Sequence, residues 1–257
     1  MRFLIRTFMV AFLVTSYFIL APVGYLTFTL WSLLPTRHPE RRARVLLAIQ
    51  RRAFRLMHWC ARHADLIGFS PTEVEGSAPI TPSIIVANHP TLTDTTAILS
   101  SFPNTVTVVK PALFHRWWAK PLFQSAGFIE SPGTDLTRLE EIIATAESRL
   151  QQGFNVLIFP EGTRSPEGKL HPFGRTAFEI ACRAKVPIVP IAIRCEPVWL
   201  SKEHPIHRAP PQRAMLDLNV LEAIHPRDYD FSSRALRKAV QERIAENLAP
   251  SISPLPA

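Results

Sequence analysis

The hydrophobic pattern changes character three times along the chain. From Phe8 to Leu34 the residues are almost wholly apolar and none is charged. At ~1.5 Å of rise per residue, a helix of that length is enough to cross a ~30 Å hydrocarbon core. Pro22 and Gly24 fall within the run. Proline removes a backbone donor and clashes with the preceding turn, so the segment either spans or folds back as a re-entrant hairpin. Arg2 and Arg6 would also suit the basic start of a cleaved signal. The apolar run is too long for that, and no small-x-small site clearly follows it.

The second pattern interleaves Arg37, Arg41, Arg42, Arg44, Arg51, Arg52 and Arg55 with Val45, Leu46, Leu47, Ile49, Phe54, Leu56 and Met57. This predicts a basic amphipathic helix. Positive charge beside an apolar anchor marks the cytoplasmic side and draws anionic lipid by about 1 kcal/mol per residue. A solvated helix face or a nucleic-acid arm would carry similar charge, but no nucleic-acid motif accompanies it. The expectation is a cytoplasmic (inner) membrane location, with the rest of the chain on the cytoplasmic side, membrane lipid as a partner and no nucleic acid.

Beyond residue 80 short β-branched runs alternate with helical spacing. Ser83–Ala87, Thr105–Val109, Asn155–Phe159, Ile188–Ile193 and Met215–Leu221 read as strands. Between them Leu136, Leu139, Ile142, Ile143, Ala146 and Leu150 recur at helical spacing, with Asp135 near the start and Gly153 just past the end. Phe173–Ala184 and Ser232–Leu248 read as further helices, and Pro250–Ala257 as a frayed tail. The expected fold class is α/β, a mixed central sheet flanked by helices, with an N-terminal membrane-associated helical segment. The expected division is 1–66 for the anchor and amphipathic helix, 67–249 for the folded domain and 250–257 for the tail.

Composition narrows this picture only a little. A chain of 257 residues holds one sizeable core. Its net charge of +8 suits nucleic acid, anionic headgroups or phosphorylated substrates equally well. Cys60, Cys182 and Cys195 lack metal or disulfide spacing, and His58, His63 and His171 form no ligand set. No metal is expected, and the thiols fit a reducing compartment.

Candidate chemistry follows the first of the long strands. Asn88-His89-Pro90-Thr91-Leu92-Thr93-Asp94 puts an imidazole at the C-terminal end of a strand and a carboxylate in the next helical turn, where function concentrates in open α/β sheets. An imidazole near neutral pKa takes a proton from a hydroxyl, and a carboxylate on its other nitrogen fixes the tautomer. No GxSxG elbow is present, so the acceptor's own hydroxyl would attack. Thr91-x-x-Asp94 is also a capping box in its own right. A second block, Phe159-Pro160-Glu161-Gly162-Thr163-Arg164-Ser165, offers hydroxyls and a guanidinium for an anion, or is a surface turn with a Glu161–Arg164 ion pair.

Taken together and in order, His89 and Asp94 with four residues between them, then Phe159–Ser165, then Val186-Pro187-Ile188-Val189-Pro190 resemble the motifs of the 1-acylglycerol-3-phosphate acyltransferase family. The likeness covers roughly Ser83 to Ile193, and the N-terminal segments resemble that family's membrane-docking part. The resemblance implies that His89 is the general base with Asp94 its partner. It implies that Glu161, Gly162, Thr163, Arg164 and Arg175 hold the acceptor, and that Val186–Pro190 lies near the acyl chain. It further implies that acyl-CoA or acyl carrier protein serves as co-substrate, with no tightly bound cofactor. Two positions depart from the pattern. Glu130 stands where the family carries arginine, and Arg175 stands one position from the usual cation. A carboxylate near a phosphate is repulsive, which leaves a lyso-aminolipid or polyene-type lipid as an alternative acceptor. A non-enzymatic protein binding anionic lipid is the alternative outside catalysis.

Overall fold

The computed structural model describes residues 34–69, 82–131, 136–165, 169–203, 209–210 and 212–249, and before them the helical positions 6–8, 10, 11, 15, 23 and 26–31. The apolar run Phe8–Leu34 therefore lies largely outside the described residues, as do Asp135 and the tail. Among the described residues no helix is long and apolar enough to cross a membrane.

Strands β1 (Ile67–Phe69), β2 (Ile84–Ala87), β3 (Thr105–Val109), β4 (Ile129–Glu130), β5 (Asn155–Ile158), β6 (Ile188–Glu196) and β7 (Ala214–Val220) form one sheet in the order β1-β7-β6-β2-β5-β3-β4. Among the described residues the pairings between these strands are parallel except β6–β7, which is antiparallel. The sheet is therefore mixed, and β2, β5, β3 and β4 all point their C-terminal ends to one edge. Ile84, Ile85, Val86 and Ala87 are all 0% exposed, the unbroken apolar run of a strand covered on both faces. β7 instead alternates buried Ala214, Leu216 and Leu218 with exposed Met215, Asp217 and Asn219, so one of its faces meets solvent.

The longer helices are α1 (Pro39–His63), α2 (Asp94–Ser101), α5 (Leu139–Gln151), α6 (Thr176–Ala184) and α7 (Ser233–Leu248). The short helices α3 (Pro111–Phe114) and α4 (Lys120–Ala126) lie between β3 and β4. α5 buries Leu139, Ile142, Ile143, Ala146 and Leu150, starts with Glu140 and Glu141 and ends near Arg149, in accord with the helix dipole. It stops because Gly153 turns to φ +81°, a left-handed conformation that only glycine adopts without strain.

α1 packs on α2, α4 and β1, burying Ala43, Leu46, Leu47 and His58 in the common core. Two of its arginines are used inside the fold. Arg51 donates to the carbonyls of Ser100 (2.9 Å) and Ser101 (3.1 Å), which the end of α2 leaves unpaired, and Arg44 lies over the Phe154 ring and bonds the Gln152 carbonyl. β1 and β4 are too short for any periodicity to reveal, and the sequence pattern missed both.

Candidate active site

β2 delivers the site. Asn88, directly after it, is buried and bonds the backbone of Ile193 in both directions, donating at 2.9 Å and accepting at 2.7 Å. The β2–β6 ladder is thereby continued by a side chain, and His89 begins the loop from a fixed point. The His89 ring stacks on Phe159 with centroids 4.2 Å apart, and its Nδ1 lies 2.9 Å from Asp94 Oδ2. Asp94 opens α2 and its side chain is fully buried, whereas that of His89 is 18% exposed.

The same carboxylate accepts the Thr91 N–H at 2.7 Å and the Thr91 hydroxyl. The helix N-cap is Thr93 and makes no side-chain cap bond, so Thr91-x-x-Asp94 is not a capping box here, and Asp94 instead ties the Thr91 turn to the imidazole. Burial pushes the Asp94 carboxyl up from the ordinary aspartate range, while donors from His89 and Thr91 pull it back. Because a carboxylate only accepts, Nδ1 carries the ring proton and Nε2 keeps the free lone pair. An imidazole held this way accepts a proton at Nε2 and returns it.

The second block reaches the first through Glu161. Its Oε1 accepts the His89 N–H at 2.9 Å, its Oε2 accepts the His171 N–H at 2.8 Å, and the Ser165 hydroxyl bonds both oxygens. The Ser165 N–H donates to the His89 carbonyl at 2.8 Å. Arg164 points its Nη1 at the carbonyls of Leu200 and Ser201, both at 2.9 Å, and the Leu92 N–H donates to that same Leu200 carbonyl. Glu161 and Arg164 are thus bonded to protein groups on either side of the His89 loop, and no Glu161–Arg164 ion pair occurs among the described residues. Gly162 adopts φ +67° with open space where a Cβ would sit, and Thr163 is half-buried beside it. Arg175 is largely exposed and pairs with Glu179 at 3.4 Å.

Glu130 ends β4, on the same sheet edge as His89 but at the rim. It pairs with His115 Nε2 at 3.0 Å and Arg138 Nη1 at 3.3 Å. Burial opposes its charge, yet the hydrogen bonds from His115 and Arg138 outweigh it and hold the carboxyl below the ordinary glutamate range. Its charge is met within the protein by two side chains that the sequence pattern gave no reason to associate with it. Val186–Pro190 leads into β6, where Ile188 pairs with Ile84 at the start of β2. This places it toward the end of the sheet away from His89, and Ile188 and Val189 are buried. Asn88, Phe159, Ser165 and His171 are named from sequence only as members of the two blocks or as a loop histidine, without the roles they take here. That position in or near the blocks is their only signal.

Among the described residues no group of three His, Cys, Asp or Glu side chains is placed to hold a metal. Residues 71–194 match the model of the family described as Acyltransferase. Over those residues the chain is similar to the acyltransferase family. It is 31% identical over 149 residues to the mouse protein named 1-acyl-sn-glycerol-3-phosphate acyltransferase alpha, covering 55% of this chain and 51% of that one. Its identity to the human protein of the same name is 33% over 129 residues, covering 47% and 44%. The chain thus matches about half the length of these curated relatives. The fold is shared with a crystal structure of the 1-acyl-sn-glycerophosphate acyltransferase PlsC from Thermotoga maritima, with a TM-score of 0.69, 22% identity and 96% of both chains covered.

Proposed function

We propose that this chain transfers a fatty acyl group from a thioester, on coenzyme A or acyl carrier protein, to the hydroxyl of a lysophospholipid such as 1-acylglycerol-3-phosphate. The observation that carries the reading is the His89 imidazole, bonded through Nδ1 to a fully buried carboxylate, on a backbone whose residue-89 N–H is held by Glu161. His89 Nε2 takes the proton of the acceptor hydroxyl as its oxygen attacks the thioester carbonyl. The C–O bond forms, the C–S bond breaks, and the proton passes from the imidazolium to the departing sulfur, giving ester and thiol. Asp94 holds the tautomer and stabilises the imidazolium. Exposure of the His89 ring beside a buried partner supports direct attack by the acceptor, with no acyl-enzyme.

The Glu130–His115–Arg138 cluster supports a phosphate-bearing acceptor. The carboxylate that sequence alone made repulsive is hydrogen-bonded by His115 and Arg138, and Arg138, which also meets Glu141 at 3.3 Å, brings a guanidinium to the position. On this reading the transferase unit is 67–249, attached to the cytoplasmic face of the inner membrane by the N-terminal segment. α1 supports that attachment. Opposite its buried stripe it exposes Val45, Ile49, Leu56 and Trp59 beside exposed Arg41, Arg52 and Arg55, an apolar and basic face suited to anionic lipid.

The test is transfer of a radiolabelled acyl group from a thioester to a panel of lyso-acceptors by the purified full chain. His89→Ala is expected to abolish transfer while vesicle binding persists. Near-normal turnover by His89→Ala with a correct acceptor would remove the general-base assignment.

A further inference from the structure

The proposed reaction leaves unused a groove between α7 and the segment that precedes α6. It is an open surface groove of about 630 Å³, with Phe173 on one wall and Arg234, Arg237, Lys238, Gln241 and Glu242 along α7 on the other. Positions 234, 237, 238 and 241 are three, four and seven residues on, so they share one helix face. The opposite face carries buried Leu236, Val240 and Ile244 into the core.

The charge of this face is unbalanced. It offers two guanidiniums and an ammonium against one carboxylate, and Glu242 meets Lys238 only at 3.8 Å, with both side chains more than half exposed. A pair so exposed contributes little and gives way readily to a stronger anion. Guanidiniums in particular suit phosphate, to which they present parallel donors.

The groove is also coupled to the site. Gln241 accepts the Phe173 N–H at 3.4 Å, and Arg237 donates to the Phe173 carbonyl at 3.4 Å. The adjoining Gly174 N–H donates to the Pro160 carbonyl at 2.8 Å, and Glu161 holds both the His171 and His89 N–H groups. One wall of the groove is therefore joined, through the neighbouring His171 N–H, to the Glu161 carboxylate that holds the His89 backbone. Its volume falls in the range of about 300–1,000 Å³ typical of small-molecule sites.

We infer that this groove receives the phosphorylated nucleotide end of a coenzyme A thioester. Arg234, Arg237 and Lys238 meet its phosphates, and the pantetheine arm runs past Phe173 toward His89. The inference rests on the transferase reading for the identity of the donor and deepens it by choosing coenzyme A over a carrier protein.

The test uses the full chain in detergent, titrated calorimetrically with coenzyme A and with 3′-dephospho-coenzyme A. The variant is Arg234→Glu with Lys238→Glu, two exposed positions, and thermal unfolding checks that it is folded. Arg237→Gln serves as a second, milder variant. The wild type is expected to bind coenzyme A about tenfold more tightly than the dephospho form, one charge-assisted phosphate contact. The double variant is expected to lose that preference and to raise KM for acyl-CoA by about tenfold or more, with KM for the acceptor within about twofold. Arg237→Gln is expected to weaken coenzyme A in the same direction. A folded double variant that binds coenzyme A as the wild type does would overturn the inference. So would a loss confined to an acyl group carried on a protein. If the wild type acylates no acceptor from any thioester, the transferase reading fails on its own, and the calorimetric titration still decides whether coenzyme A occupies the groove.

Discussion

Glu161→Gln separates a brace from a phosphate ligand. The carboxylate accepts the His89 N–H at 2.9 Å on one oxygen and the His171 N–H at 2.8 Å on the other, with the Ser165 hydroxyl on both. Glutamine keeps the shape but has one accepting oxygen. Whichever way its amide faces, an NH₂ donor meets a backbone N–H donor. One hydrogen bond to a charged group is lost, worth about 2 kcal/mol, and a half-buried donor is left facing another donor. For a chain of this size about 2 kcal/mol lowers Tm by about 4–8 °C. If the same energy is lost in holding His89 at the transition state, kcat falls about thirtyfold. KM for the acceptor should stay within about twofold if the carboxylate braces the backbone and does not bind the acceptor. The assay is initial rate against acceptor concentration at saturating donor, paired with a thermal melt. An acceptor KM raised about tenfold or more, with kcat and Tm unchanged, would refute the brace and make Glu161 a headgroup ligand.

Other outcomes follow from neighbouring geometry. Asp94→Asn should cut kcat by about 10³–10⁴-fold by freeing the wrong imidazole tautomer; a loss under about tenfold in a folded variant would separate Asp94 from the chemistry. Arg164→Ala removes the bonds to Leu200 and Ser201, so it should lower Tm and raise KM for donor and acceptor together, whereas a rise for the acceptor alone would return Arg164 to headgroup binding. Arg138→Ala leaves the Glu130 carboxylate without its guanidinium partner and should raise KM for a phosphate acceptor above that for an uncharged one; equal change for both would count against a headgroup role. Burial holds the His58 imidazole down to about 4, against a hydrogen bond to Thr96 that raises it, while its ordinary value is 6.5. As pH falls from 6.5 toward 4 the unfolded chain takes up the proton first, so stability is lost across that window, by up to about 3 kcal/mol, and is flat in this respect above it. Denaturant unfolding of His58→Asn should show a shallower fall over the same window, and an unchanged slope would contradict the assignment.

Some of this molecule was open to reading from its residues alone. The strands β2, β3, β5, β6 and β7 and the helix α5 carry their own evidence, since a strand buried on both faces is an apolar run, a strand with one wet face such as β7 alternates, and a one-sided helix repeats at its own period. His89 and Asp94 were also legible, because only five positions separate them and a strand-to-helix turn closes that distance locally. The partners of the remaining polar groups were not. Glu161 finds His89 across 72 positions, Asn88 finds Ile193 across 105, and Arg164 finds Leu200 across 36. An arginine or glutamate reads the same whether its partner is a ligand or a distant backbone group. Only the sheet order, by setting β5 and β6 on either side of β2, decided that Glu161, Asn88 and Arg164 bond the protein around His89.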